Sequence, residues 1–257
     1  HGHVGGWWGG YGLAGHPWAR ATAWGLTAWA IGSIFYDSGY SEGGGDYSNP
    51  YYSDGSSTDY NYGQPIPTDY QAAAAVEDPY APPKQSPEVK DGAAHSDLSR
   101  EAFKKGDYVK AMTEVDLALK KLPSDAALHE FRALVLFAQQ KYSEAAGVLY
   151  AVLSAGPGWD WTTLSSMYPS VEAYTSQLRT LEQYSKAHKD SADAHFVLAY
   201  EYITCGHNDA AIRELKEVLR LQPQDQLSTK LLTMMGGSAS AAATPPAATS
   251  TGTAAST

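Results

Sequence analysis

The residues in this sequence whose types and spacing could support catalysis or ligand binding are its histidines and one glycine-rich stretch. The stretch from Gly10 to Gly15 has the GxGxxG spacing of a dinucleotide-binding loop, but such a loop needs a strand before it, and here only Gly and Trp precede it. His1 and His3 would form a square-planar Cu(II) or Ni(II) site only with a free amine at His1. Because the sequence starts with His rather than Met, we expect a processed or cut chain and attach no chemistry to this pair.

Three further histidines, His95, His129 and His195, occupy the same place in three similar segments. Equivalent places in neighbouring helical units are separated by roughly one helix diameter, about 10 Å, so these side chains are too far apart to share one metal ion. We interpret them as filling a slot for a large aromatic side chain. The sequence has no Walker loop, GxSxG, HExxH, CxxC or EF-hand pattern. We therefore predict a non-enzymatic protein without a metal or cofactor.

The segment from Ala192 to Asp225 shows what positions these histidines. It predicts one helix, a turn at Gly206, a second helix and a stop at Pro223. The small residues Ala199 and Ala211 lie where the two helices would cross closely. Large apolar residues surround them, namely Leu198, Tyr202, Leu215 and Leu219.

The same pattern recurs in two earlier segments. In residues 92–125 Gly106 is the turn, Ala111 the small residue and Pro123 the stop. In residues 126–159 the matching places hold Ala133, Tyr142, Ala145 and Pro157, with departures at Arg132, where an apolar residue is usual, and at Gln140, where Gly is usual. These three units in phase resemble the tetratricopeptide repeat, a helix–turn–helix unit of about 34 residues that stacks on copies of itself.

The resemblance implies an all-α fold, a right-handed superhelical stack of about four hairpins. Residues 160–191 would be a degenerate third unit, in which Asp160 and Ser170 each cap a helix. A last helix starting at Asp225 would close the stack. The run 151–164 also resembles predicted exported repeat proteins of planctomycete bacteria, which implies a location in the periplasm or cell envelope.

In this repeat family the first helices line a concave groove that binds a peptide or protein segment. Carried over by place, the groove residues are Arg100, Phe103, Lys104, Glu130, Leu134, Phe137, Phe196, Tyr200 and Ile203. Most of them are apolar or aromatic, which suits burial of a partner's hydrophobic side chains. The alternative is that they face a neighbouring helix or the chain's own N-terminal segment.

We divide the chain into a Gly/Trp-rich segment (1–37), a Tyr/Gly/Pro-rich segment (38–90), the repeat domain (91–236) and an Ala/Thr/Ser/Pro-rich tail (237–257), which we expect to be disordered. Residues 38–90 are either a flexible linker or a strap whose Tyr and Pro residues pack along the repeats. The uncharged run 21–36 is too short for a bilayer span. It fits a short helix packed on the repeats or a partner, an interfacial membrane contact, or disorder.

The net charge of −10, with no basic block, argues against nucleic acid as a partner. We expect a scaffold for protein–protein interaction. One alternative is an envelope tether in which the N-terminal third makes the attachment and the repeats are a spacer. Another is a docking arm for a domain that follows Thr257.

Overall fold

The computed structural model describes residues 47–52, 60–66, 87–156 and 158–237. Its regular structure in these residues is helical. The helices are α1 (Pro87–Lys104), α2 (Tyr108–Lys121), α3 (Ala126–Ala138), α4 (Tyr142–Ala155), α5 (Trp161–Met167), α6 (Val171–Ala187), α7 (Ala192–Thr204), α8 (Asn208–Leu221) and α9 (Gln226–Met234).

Short polar side chains start these helices. Asp125, Ser191 and Asp225 accept hydrogen bonds from backbone N–H groups in the first turns of α3, α7 and α9, where no intrahelical partner exists. Asp160 and Ser170 cap α5 and α6 in the same way, as the sequence predicts.

The turn inside each hairpin requires a left-handed residue. Gly106 and Gly206 supply it with φ of 78° and 74°, a conformation that glycine adopts without steric cost. Gln140 takes the same place in the middle hairpin with φ of 61°. The departure noted at Gln140 therefore leaves the turn geometry unchanged and concentrates strain at one non-glycine residue.

Helices that are neighbours in the chain pair into hairpins, α1 with α2, α3 with α4, and α7 with α8. Ala111, Ala145, Ala199 and Ala211, which the sequence predicts to lie where helices cross, are each at most 1% exposed. α2 packs on α3, and α8 packs on α9. The three hairpins share one continuous hydrophobic core.

The packing order departs from a four-unit stack in chain order. α4 packs directly against α7, so the second and the last hairpins are neighbours, and residues 160–191 do not separate them. α5 has only seven residues and touches α1, whereas α6 packs on α7. A helix of about two turns is too short to pair with α6 along its full length, which explains why this unit does not stack in line with the other hairpins.

The two described segments of residues 38–90, residues 47–52 and 60–66, which we call the strap segments, contact the helices. Tyr62 and Ile66 are buried in the hydrophobic core, and Tyr47, Tyr51 and Tyr60 pack against it. Two parts of this stretch therefore behave as a strap along the helices.

The predictions for 1–37, for the tail from residue 238 onward and for the rest of 38–86 lie outside the described residues. They include the GxGxxG match, His1, His3 and the run 21–36. Among the helices that the structure does describe, none combines the length and the apolar character needed to cross a bilayer.

Candidate functional site

The predicted groove residues are mostly covered by the chain itself. Lys104 is exposed and Arg100 is half-buried, with its guanidinium 3.8 Å from Asp97. The other seven are each at most 8% exposed, namely Phe103, Glu130, Leu134, Phe137, Phe196, Tyr200 and Ile203. A partner would reach these seven side chains only after another part of the chain had moved.

The segment around α5 and α6 provides much of this cover. The ring of Tyr168 meets that of Phe103 edge-on, with 5.1 Å between centroids. The backbone N–H of Trp159 donates to Glu130 Oε1 over 2.7 Å, and Trp159 is 1% exposed. Of the alternatives left open by the sequence, these contacts favour occupancy by the chain itself, with Trp159 at the end of the second unit and Tyr168 in the degenerate unit as covering residues.

Two buried carboxyl groups lie in this covered region. Glu130 Oε1 also accepts a hydrogen bond from Tyr200 Oη (2.7 Å), and Glu201 Oε2 accepts one from Tyr174 Oη (3.1 Å). Burial raises the pKa of Glu130 and that of Glu201 to about 8, because the desolvated carboxylate is disfavoured. Both side chains are therefore largely protonated at neutral pH.

A raised carboxyl pKa is also typical of catalytic acids, but the cavity lined by Trp159, which donates to Glu130, is too small for a substrate. The cavity beside Arg100, Asp125, Trp159 and Met167 measures about 20 Å³, whereas ligand pockets are usually about 300–1,000 Å³. Cys205 contacts Tyr174 Oη at 2.9 Å, and burial raises its pKa to about 11. Its thiol therefore stays protonated and is a poor nucleophile. These groups fit a closed protein interior.

The strap segments contact the helices in the way that a bound peptide ligand would. Asn49 to Tyr52 form a turn, closed by the hydrogen bond from Tyr52 N–H to the Asn49 carbonyl (3.2 Å). Asn49 Oδ1 accepts a second bond from Tyr51 N–H (3.1 Å), and its Nδ2 donates to the carbonyl of Gly147 in α4 (2.8 Å). The turn is thus both ordered within itself and attached to a helix.

Tyr51 inserts between two hairpins. Its ring stacks on Phe196 with centroids 4.9 Å apart and meets Tyr150 edge-on at 5.8 Å. Its hydroxyl donates to Asp225 Oδ2 over 2.8 Å. We call Gly147, Tyr150, Phe196 and Asp225 the tyrosine seat. Of these four, the sequence nominated only Phe196 as a binding residue.

Gly147 allows the close approach of the strap. A Cβ at this position would lie 3.1 Å from the carbonyl oxygen of Tyr51, closer than nearly all real contacts of this kind. Glycine in the middle of a helix costs about 0.5–1 kcal/mol relative to alanine. The binding position of the strap could therefore have been predicted from the sequence, because a glycine inside an otherwise apolar helix suggests that another backbone lies against it.

Tyr62 anchors the second strap segment at the middle hairpin. Its hydroxyl lies 2.9 Å from His129 Nδ1, and the guanidinium carbon of Arg132 lies 5.8 Å from the centre of its ring. Arg132, the departure noted in the sequence, pairs with Asp116 through Nε at 2.8 Å. An arginine is accommodated at this usually apolar position because a carboxylate and a tyrosine ring both face it.

The three equivalent histidines have separate partners. Nδ1 of His95 contacts Glu114 (2.7 Å) and Nδ1 of His195 contacts Glu214 (2.6 Å), whereas His129 contacts Tyr62. Across the ranges that the structure describes, no cluster of three or more His, Cys, Asp or Glu side chains could hold a metal ion.

No family model matches the chain, and the search of curated proteins gives no match either.

Proposed function

We propose that this chain is a non-enzymatic protein-interaction scaffold of the tetratricopeptide-repeat type, which binds an extended segment of a partner protein. The observation that carries the proposal is that the helices already hold a non-helical segment of their own chain. That segment is bound by a helix carbonyl, an aromatic pair and a carboxylate, the groups that peptide-binding surfaces use.

The recurrence of the unit supports the repeat part of the proposal. Each of the three hairpins has a histidine in its first helix, a buried small residue at the crossing and a left-handed turn residue. In this proposal the hairpins form a right-handed stack. The predicted concave groove becomes available to a partner when α5 and α6 move.

The resemblance to exported repeat proteins adds a location to the proposal, the periplasm or cell envelope. Fractionation of cells that express the natural gene tests this part, and recovery of the protein solely with cytosolic markers would contradict it.

The binding proposal is tested with the full chain and a variant in which residues 47–66 are replaced by a Gly/Ser sequence of equal length, here called the strap-replaced chain. Both are immobilised and used to select from a phage library of random 16-residue peptides. We expect enrichment on the strap-replaced chain, in competition with a synthetic 47–66 peptide, and much less on the wild type, whose surface is occupied. If the strap-replaced chain keeps its helical circular dichroism and enriches no peptide, the proposal is wrong.

A further inference from the structure

We propose that the tyrosine seat is a recognition site for an asparagine–proline–tyrosine turn, and that a partner carrying such a turn displaces residues 47–52. This inference rests on the proposed function and specifies the chemistry of the partner at one place on the helices. The chain's own turn is the occupant seen in the structure.

The turn itself is suited to be a ligand because it is ordered before it binds. Pro50 fixes one backbone torsion at the second position of the turn, where proline is favoured. The carbonyl and the side-chain oxygen of Asn49 each accept a backbone hydrogen bond from within the turn. A preorganised segment loses little conformational entropy on binding, so more of its contact energy appears as affinity.

The seat recognises asparagine through geometry that few side chains match. The amide Nδ2 of Asn49 donates to the Gly147 carbonyl at 2.8 Å and to the Tyr62 carbonyl at 3.0 Å. Asn49 uses its acceptor for the turn and both of its donors for these carbonyls. Aspartate, the nearest alternative, has no donor for the helix carbonyl when it is ionised.

The seat also distinguishes tyrosine from phenylalanine. The aromatic faces of Phe196 and Tyr150 would accept either ring, but only tyrosine adds a hydroxyl donor to Asp225 Oδ2, which is buried and already accepts from Ser228 Oγ. Hydrogen bonds to charged groups contribute about 1.5–3 kcal/mol, which corresponds to a roughly 10- to 100-fold preference for tyrosine. A phosphate on the tyrosine would place negative charge against Asp225 and should prevent binding.

Gly147 provides the control for the site. Gly147→Ala adds a methyl group 3.1 Å from the Tyr51 carbonyl oxygen, so the bound turn must shift by a few tenths of an ångström, while alanine is a better helix former than glycine. The substitution should therefore weaken occupancy of the seat without unfolding α4.

The experiment measures fluorescence anisotropy of a labelled peptide of sequence 47–66 with the strap-replaced chain. We expect binding that is at least 10-fold weaker for the Tyr51→Phe peptide, at least 10-fold weaker for the Asn49→Ala peptide, and lost for the peptide phosphorylated at Tyr51. The wild-type chain, with its seat filled, should bind the unmodified peptide at least 10-fold more weakly. Gly147→Ala in the strap-replaced chain should weaken binding at least 10-fold.

Equal affinity for the Tyr51→Phe peptide, or unchanged binding by Gly147→Ala, would overturn the inference. If the 47–66 peptide does not bind but other library peptides do, the inference fails and the scaffold function stands. If no peptide binds to the folded strap-replaced chain, both fail.

A second measurement covers the case in which strap replacement unfolds the chain. Gly147→Ala is then made in the otherwise unchanged full chain, and hydrogen exchange is followed by mass spectrometry. Faster exchange at residues 49–52 with protected α3 and α7 supports the inference, and unchanged exchange at 49–52 contradicts it.

Discussion

The middle hairpin (α3–α4) and the last hairpin (α7–α8) place a histidine at the same position and shift its pKa in opposite directions. In both, Nε2 faces a loop carbonyl that can only accept, that of Pro123 for His129 (2.9 Å) and that of Lys189 for His195 (3.3 Å). Nε2 must therefore carry a proton in both rings, and the group at Nδ1 decides the charge.

At Nδ1 the two hairpins differ. Glu214 accepts from His195 and raises its pKa, which favours the doubly protonated ring. His129 instead accepts from the hydroxyl of Tyr62, and burial lowers its pKa to about 4, so its ring stays neutral. In the last hairpin, the partner of the histidine Nδ1 is Glu214 of the hairpin's own second helix. In the middle hairpin, the partner is Tyr62 of the second strap segment. The first strap segment contacts the last hairpin through Tyr51.

The largest expected effect comes from removing the aromatic group that joins the strap to the last hairpin. Phe196→Ala should destabilise the protein by about 3–5 kcal/mol, because a ring that is 1% exposed is deleted from the core. Phe137→Ala in the middle hairpin is the matched control, since Phe137 is equally buried and contacts Tyr142 rather than Tyr51. Denaturant unfolding should show similar losses, but only Phe196→Ala should speed proteolysis at residues 47–52. Equal proteolysis in the two variants would contradict the joint role of Phe196.

Removing one hydroxyl tests the dependence of the middle hairpin on the strap. Tyr62→Phe leaves Nδ1 of His129 buried without its donor, which should cost about 1–3 kcal/mol. Tyr60→Phe is the control, because the Tyr60 hydroxyl bonds to the Leu119 carbonyl from a less buried place, and it should cost less. If denaturant unfolding shows Tyr60→Phe to be the more harmful change, the assigned role of Tyr62 is wrong.

Changing the pH should affect the two histidines in opposite directions. The folded pKa of His129, about 4, lies below its unfolded value of 6.5, so its contribution to stability is lost as the pH falls from 6.5 towards 4, by on the order of 2 kcal/mol at pH 5. The folded pKa of His195 lies above 6.5, so its contribution is present below 6.5 and lost as the pH rises through that raised value.

An NMR titration of the two ring C–H resonances checks this. His195 should titrate above pH 6.5, and His129 should not titrate until about pH 4. A His129 midpoint near 6.5 would show that its ring is not held neutral by burial.

The smallest effect is expected in the first hairpin, which repeats the pairing of the last one at a more open place. The side chain of His95 is 26% exposed, against 9% for His195. Glu114→Gln should therefore cost less than about 1 kcal/mol, and Glu214→Gln should cost more, because a buried charge loses its partner. Thermal unfolding of the two variants at pH 6 measures the difference. A larger loss from Glu114→Gln would mean that burial does not set the strength of this pair.

The sequence predicts the helical part of the fold because its signals are local. Asp160 and Ser170 cap their helices and Asp225 starts the last helix through contacts within a few residues, and the turn at Gly206 needs only its own backbone freedom. The place of residues 160–191 is not local, since it depends on whether α4 meets α7 directly. The sequence predicts short helices and a cap at Asp160. It does not predict how these helices pack relative to two hairpins that are distant in the chain.

The same distinction applies to the site. The repeat resemblance predicts Phe103 and Glu130 as groove positions, but Tyr168 of the irregular unit covers Phe103, and Trp159, just before that unit, covers Glu130. The tyrosines at 51, 60 and 62 have no periodic spacing that would separate anchors from linker residues. Among these residues, Gly147 carried a usable sequence signal. Glycine destabilises a helix, so its presence inside one suggests that another backbone lies close to it.

The bond between Tyr51 and Asp225 joins residues 174 positions apart, which affects how the chain folds as it is made. A ribosome working at roughly 5–20 residues per second delivers Asp225 about 10–35 s after Tyr51. Helical hairpins form in far less time than this, so α3 and α4 can be complete while the partner of the Tyr51 hydroxyl is still unsynthesised. The Tyr51 hydroxyl can therefore reach its acceptor only after the middle hairpin has been made, whereas Asn49 and Tyr62 can already pair with that hairpin.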